Sequence, residues 1–186
     1  MDKQNNSTDS IAIFAGGCFW CTEAVFQRLD GVKEVISGYT GGAIKNPAYR
    51  EICTGRTGHA EAVKIVYDAS KVSYTELLEV FFATHDPTTL NRQGNDVGTQ
   101  YRSEIFYTSS EQKTQAEGFI SLLDEERVFS SPIVTAISEE KPFYKAEIEH
   151  QNYYNDNKMQ PYCQFIINPK IKKLNQHFSN KLNTAQ

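Results

Sequence analysis

The sequence predicts an α+β fold, and three observations predict it: short apolar runs of strand length, two helical patterns with stop signals, and their order along the chain. Residues 11–15 (IAIFA) form an apolar run of buried-strand length, stopped by Gly16-Gly17. From Cys18 to Leu29 the spacing turns helical, with Phe19, Ala24, Val25, Phe26 and Leu29 on one side and Asp30-Gly31 closing it. Residues 32–39 are rich in β-branched side chains and end at Thr40-Gly41-Gly42, which reads as a strand. Residues 61–67 (EAVKIVY) alternate with period two, the mark of a half-buried strand. Ser73 is the expected N-cap of a second helix, and Glu76 three residues on completes a capping box. Leu77, Leu78, Val80, Phe81 and Phe82 form its apolar face, and His85-Asp86-Pro87 stops it. Residues 103–107 make a further short strand. The order is therefore β-α-β-β-α-β, the split β-α-β, ferredoxin-like core with two helices on one face of the sheet.

Beyond that core the sequence predicts an added helix over 111–128, although Gly118 weakens it by about 1 kcal/mol against Ala. A strand over 132–137 and a short helix over 145–154 are expected after it. The connection 87–102 is polar, contains Gly and is long, which marks a functional loop. Residues 1–10 read as a flexible arm, 11–174 as a single catalytic domain, and 175–186 as a loose polar tail.

With 186 residues, the chain has the size of one ordinary domain with a real core. Hydrophobic residues at 39% and charged residues at 23% place it among globular proteins. A net charge of −4 offers no basic face for a nucleic-acid backbone. Lys170, Lys172 and Lys173 form the one modest cluster, read as a solvated helix face. No apolar run approaches the ~20 residues that cross a bilayer, and the first ten residues lack a signal-peptide core. The expectation is a cytoplasmic monomer with no cofactor and no metal. In that reducing compartment the 4 cysteines are thiols by default, and any disulfide is transient and catalytic.

Gly16-Gly17-Cys18-Phe19-Trp20-Cys21 carries the chemistry. The two glycines allow a sharp turn and a close approach by another backbone or a substrate. Cys18 falls at the start of a helix, where unpaired N–H groups and the dipole favour the nucleophilic thiolate. Cys21, three residues on, shares its helical face and lies within reach of a disulfide. A zinc half-site and an inert pair of buried thiols are the alternatives. The first lacks a second close ligand pair, since Cys53, His59 and Cys163 are scattered. Phe19 and Trp20 can pack in the core or present a ring to a sulfur-methyl group.

These residues, with Glu23, Gly38-Tyr39-Thr40-Gly41-Gly42, Gly58-His59-Ala60-Glu61-Ala62-Val63, the run 93–103 (QGNDVGTQYRS), the run 147–153 (EIEHQNY) and Tyr162-Cys163, resemble the A-class peptide methionine sulfoxide reductases. The resemblance runs from about Ile11 to Leu174. It implies that Cys18 attacks the sulfoxide sulfur while Glu61 protonates the oxygen, with Tyr39 and Tyr101 as hydrogen-bond donors. Phe19 and Trp20 would wall the S-methyl group, and Asp96 would orient polar partners. It also implies preference for the S epimer, in free methionine sulfoxide or in oxidised proteins, and thioredoxin as reductant. By its residues alone, Glu61 reads as a surface strand carboxylate, and His150 receives no chemical role.

The resulting Cys18 sulfenic acid needs a second thiol. Here the chain departs from a common family form, which has Gly at the position of Cys21 and its resolving thiol near the C-terminus, and it lacks the Gly-rich C-terminal segment with a further cysteine that some members carry. Cys21 is favoured as resolver over Cys163, with a relay through both as the alternative. Two other readings stand beside this one. A thioredoxin-like thiol-disulfide oxidoreductase would need a strand and helix before the C-x-x-C strand, where only ten polar residues stand. A non-catalytic module binding Met-containing peptides would use the aromatics and not the thiol.

Overall fold

The computed structural model describes residues 9–183. Residues 1–8 of the expected arm and 184–186 of the expected tail lie outside the described residues. The first half of the chain runs β1 (Asp9–Gly16), α1 (Phe19–Phe26), β2 (Val32–Thr40), α2 (Tyr49–Ile52), β3 (Ala60–Asp68) and α3 (Tyr74–Thr84). It continues with β4 (Arg92–Gln93), β5 (Asp96–Val97), β6 (Ser103–Tyr107), α4 (Ser110–Glu125), β7 (Ala136–Glu139), β8 (Tyr144–Lys145), α5 (Tyr153–Asp156) and α6 (Asn168–His177).

The main sheet has the order β7-β6-β1-β3-β2-β8. Its four inner strands, β6-β1-β3-β2, are antiparallel throughout, with α1 and α3 as the crossovers. This is the split β-α-β arrangement expected from the element order. Alternation explains which side the helices cover. Ala12 and Phe14 of β1, Val63 and Ile65 of β3 and Ile105 of β6 face Phe26, Leu29, Leu77 and Phe81 in one core. Ile13, Ala15, Ala60, Ala62 and Phe106 form a smaller cluster on the opposite face, under Phe143. Both faces of the central strands are therefore buried.

Phe14 is the hub of the larger core. Its ring centroid lies 4.8 Å from Phe81, 5.6 Å from Phe26 and 5.9 Å from Tyr74. Phe14→Ala is expected to cost about 3–5 kcal/mol of stability, since so enclosed a site cannot collapse onto the void. Urea unfolding with an unchanged m-value would measure it. The α3 capping box also forms: Ser73 Oγ accepts from Glu76 N at 3.1 Å, and Glu76 Oε2 accepts from Ser73 N at 2.8 Å.

Four expectations change. The strand expected over 132–137 forms at Ala136–Glu139, parallel to β6, because Ser103 pairs with β1 and meets Thr135 through hydroxyl groups at 2.7 Å. Residues 145–154 are not one helix. Gln151 Oε1 accepts from Ser37 N at 3.0 Å and its Nε2 donates to Ser37 O at 2.8 Å, tying this segment to β2. Asn152 then takes a left-handed conformation, φ 55°, before α5. The segment 175–183 is folded onto the domain: α6 runs to His177, Asp30 N donates to Lys181 O at 2.8 Å, and Asn183 N to Arg28 O at 2.9 Å. At the other end, Asp9 and Ser10 of the expected arm pair with Asp68 and Tyr67.

The long connection 87–102 carries its own structure, the β4–β5 hairpin and a 3₁₀ turn at Thr99–Tyr101. Gln93 clips it to the end of α3 through Asp86 N and Asp86 O, at 3.0 and 2.9 Å. Among the described residues, no helix is long and apolar enough to cross a membrane.

Candidate active site

β1 ends at Gly16, and Gly17 turns the chain with φ +94°. A Cβ on Gly17 would sit 2.6 Å from Gln93 Cγ, so the hairpin loop can close over this turn only because no side chain stands there. Cys18 is the residue that caps α1, and Cys21 N donates to Cys18 O at 3.1 Å in the first turn. Both thiols are buried, 9% and 5% exposed, in one cluster. They open into one cavity of about 250 Å³, which Gln93, Asp96, Tyr162 and Lys170 also line.

The two thiols differ in charge. Burial first, then the Cys21 hydrogen bond and the Glu61 carboxyl, push Cys18 well up. Cys21 is pulled down by the Cys18 hydrogen bond, with Lys170 and Tyr162 adding to it against the effect of burial. Position at the helix start is therefore not sufficient to make Cys18 a thiolate at rest. Desolvation outweighs the one lowering contact, the backbone N–H of Trp20 in the first turn.

Glu61 sits opposite Tyr39 in the β2–β3 register, so their side chains share a face. Far from a surface carboxylate, it is 2% exposed, between Ala60 at 0% and Ala62 at 1%. Its Oε1 accepts from Phe19 N at 3.2 Å, next to Cys18. Burial pushes its pKa up to about 8, against that N–H bond and with help from Asp96 and Cys21. The group holds its proton at neutral pH. Tyr39 is buried and donates its hydroxyl to Glu147 Oε1 at 3.0 Å, while Glu147 Oε2 accepts from Tyr49 N at 3.0 Å. Tyr101 packs against the cysteine cluster, and burial, Glu61 and Cys18 hold its phenol above the ordinary range.

Phe19 is enclosed, its ring 5.6 Å from both Tyr39 and His150. Trp20 is half-buried, stacked on Tyr153 at 3.7 Å, and its Nε1–H donates to His150 Nδ1 at 3.2 Å. Asp96 lies on the thiol side: Tyr162 donates its hydroxyl to Asp96 Oδ2 at 2.8 Å and is 3.5 Å from Cys21 Sγ. Cys163 is fully buried in the cluster holding Cys18 and Cys21, on a wide π turn, Cys163–Ile167, that runs into α6. Three of the four cysteines are thus gathered, and Cys53 stands exposed at the end of α2.

Sequence reading assigned no role to Glu147, His150, Tyr153 and Tyr162, which hold the residues it did name. Glu23 joins them. Its carboxyl accepts from Ser37 Oγ at 3.0 Å and Tyr153 N at 3.2 Å, and burial raises it to about 7. The only signal for this layer was its place inside the quoted motifs. His150→Phe keeps a ring among Phe19, Trp20 and Tyr49 but removes the acceptor for Trp20. Losing one such bond costs about 1 kcal/mol, so KM should rise roughly fivefold with kcat nearly kept, measured by steady-state kinetics.

A shielded thiol beside a second thiol and a proton-bearing carboxylic acid defines a thiol-dependent oxidoreductase. The sequence model of the family described as peptide methionine sulfoxide reductase matches residues 10–182. A Deinococcus radiodurans protein named peptide methionine sulfoxide reductase MsrA is 55% identical over 189 residues, covering 98% of this chain and 92% of its own. One of the same name from Trichodesmium erythraeum is 56% identical over 170 residues, covering 91% and 96%. The crystal structure of Mxr1 from Saccharomyces cerevisiae in reduced form superposes with a TM-score of 0.77 at 31% identity, covering 87% of this chain and 92% of that one. The chain belongs to the peptide methionine sulfoxide reductases. It is an oxidoreductase that reduces methionine sulfoxide to methionine.

Proposed function

We propose that the substrate is the S epimer of methionine sulfoxide, free or within oxidised proteins, and that Cys18 is the nucleophile. The observation that carries this reading is the buried Glu61 carboxyl, bonded to Phe19 N beside Cys18 and carrying its proton at neutral pH. Sulfoxide oxygen is a poor leaving group until protonated, and Glu61 is the acid placed to protonate it. As Cys18 Sγ bonds to the sulfoxide sulfur, its own proton returns to the Glu61 carboxylate. The hydroxyl then passes to Cys18, leaving methionine and a Cys18 sulfenic acid. Tyr39, turned from Glu147, and Tyr101 donate hydrogen bonds to the oxygen. Trp20 and Phe19 supply the apolar wall, and Asp96 holds Tyr162.

Cys21 is the resolving thiol in this scheme, since it sits in the first turn after Cys18 and opens into the same cavity. It displaces the hydroxyl as water and forms a Cys18–Cys21 disulfide. Cys163, buried in the same cluster, can receive the disulfide in a second exchange. An external dithiol of the thioredoxin type regenerates the enzyme. The catalytic unit is a single domain that takes in residues 9–10 of β1 and 175–183 beyond the expected bounds, working as a cytoplasmic monomer without cofactor.

Single turnover of separated epimers without reductant, followed by mass mapping of disulfides, tests the scheme. The S epimer alone should be consumed, with a Cys18–Cys21 bond formed in the first equivalent. A Cys18–Cys163 bond in wild type and in Cys21→Ser alike would replace the resolver. Consumption of neither epimer by folded, reduced protein would sink the assignment.

A further inference from the structure

The sequence places Lys170 in a solvated basic face, but the structure turns it inward while Lys172 and Lys173 stay exposed. From the first turn of α6, its Nζ donates to Thr84 O at 2.7 Å, at the carbonyl end of α3. The same side chain lines the 250 Å³ cavity into which Cys18 and Cys21 open. It also lines a narrow gap against Cys21, Thr22 and Val25, and an outer cavity of about 470 Å³ beside Lys173. Of the residues lining the cysteine cavity, Lys170 is the one cation. Nothing in the reduction of the sulfoxide uses it.

We propose that Lys170 is a positioning residue for the second half of the reaction: its ammonium holds Cys21 as the thiolate that attacks the Cys18 sulfenic acid. This rests on the reading of Cys21 as the resolver. In that step the Cys21–Cys18 S–S bond forms and the Cys18 S–O bond breaks. The Cys21 thiolate supplies the electron pair, and the departing hydroxide takes the Glu61 proton to leave as water. Cys21 sulfur is oxidised and the Cys18 sulfenyl sulfur is reduced.

In the reduced protein the Cys18 thiol lowers Cys21 more than Lys170 does, but the first half of the reaction consumes that thiol, and of the residues lining the cavity with Cys21 Lys170 is the one cation. The helix of Cys21 brings Cys18, and β3 brings Glu61, which is neutral below about pH 8. Asp96 of β5 opposes a thiolate, but its carboxylate is engaged by Tyr162. Cys163 and Tyr162 of the C-terminal turn are uncharged, since burial pushes both up. His85, at the end of α3, has its Nδ1 2.5 Å from Phe81 O and its Nε2 2.8 Å from Ser103 Oγ. Burial pulls it down to about 4, so it adds no charge at neutral pH. Burial lowers the Lys170 ammonium, with Lys173 adding to that, and Cys21, Cys18 and Asp96 work against it.

The competing reading is that Lys170 merely caps α3. Lys170→Gln separates the two, because a side-chain amide can still donate to Thr84 O but carries no charge. Lys170→Arg keeps the charge. The readout is iodoacetamide alkylation of reduced, full-length protein across pH, with fragmentation that distinguishes Cys21 from Cys18. Lys170→Gln should raise the Cys21 midpoint by about one pH unit, and Lys170→Arg should keep it near wild type. In single turnover at pH 7, Lys170→Gln should slow disulfide formation roughly tenfold while methionine appears at the wild-type rate. Thermal melting confirms that each variant is folded, and Lys170→Met serves if the Gln variant is not. A wild-type Cys21 midpoint in a folded, uncharged variant overturns the proposal. A Cys18–Cys163 bond in wild type would instead overturn the resolver reading, whatever the alkylation shows.

Discussion

Cys18→Ser should abolish turnover of methionine sulfoxide, with a loss of at least about 10⁴-fold in kcat. A hydroxyl at this position is far less nucleophilic toward sulfur, and it cannot carry the oxygen away as a sulfenic acid. The substitution is nearly isosteric and the thiol borders a cavity, so thermal melting should move little. Binding of a methionine sulfoxide peptide, followed by Trp20 fluorescence, should survive. Stopped-flow kinetics on the variant would settle the matter. Retained turnover would place the nucleophile on Cys21 or Cys163, and robust insulin reduction without sulfoxide turnover would favour a disulfide oxidoreductase.

Glu61→Gln should lower kcat by roughly 10²–10⁴-fold, the usual worth of a positioned general acid. The amide oxygen can still accept from Phe19 N, so the local backbone keeps its partner. The pH dependence is the sharper test. Glu61 acts as a protonated acid, and its folded pKa is pushed up to about 8. Wild-type activity should therefore fall as pH rises through about 8, and the variant should lose that limb. Stability follows the same titration. Because the folded pKa lies above the unfolded value of 4.5, the native protein binds the proton more tightly. That stabilisation is complete below 4.5 and is lost as pH rises to about 8. Glu61→Gln should remove its share of this slope. A variant with wild-type kcat across pH would show that another group protonates the oxygen.

Local pattern made several elements legible. Period-two alternation in residues 61–67 and the Ser73–Glu76 box both report short-range physics, and both appear where expected. The turn at Gly16-Gly17 and the i, i+3 spacing of Cys18 and Cys21 are also written in adjacent residues. Segments whose bonds go to distant partners were misread. Residues 145–154 looked helical, yet the Gln151 amide spends its donors and acceptor on Ser37 and Ala146. The polar stretch after Leu174 looked loose because its partners, Arg28 and Asp30, lie far back in the chain.

The same division runs through the site. The sequence by itself determined the strand–turn–helix that presents Cys18, the choice of a ferredoxin-like core, and the set of residues worth testing. Which of them carry charge was decided only by tertiary structure. Glu61 is an acid at neutral pH because both faces of β3 are covered, and Cys18 keeps its proton because burial outweighs the Trp20 N–H bond. Cys21 meets a cation because α6 folds back against the end of α3. Desolvation and Coulomb interaction depend on what surrounds a group in three dimensions, and neighbours in sequence do not set that.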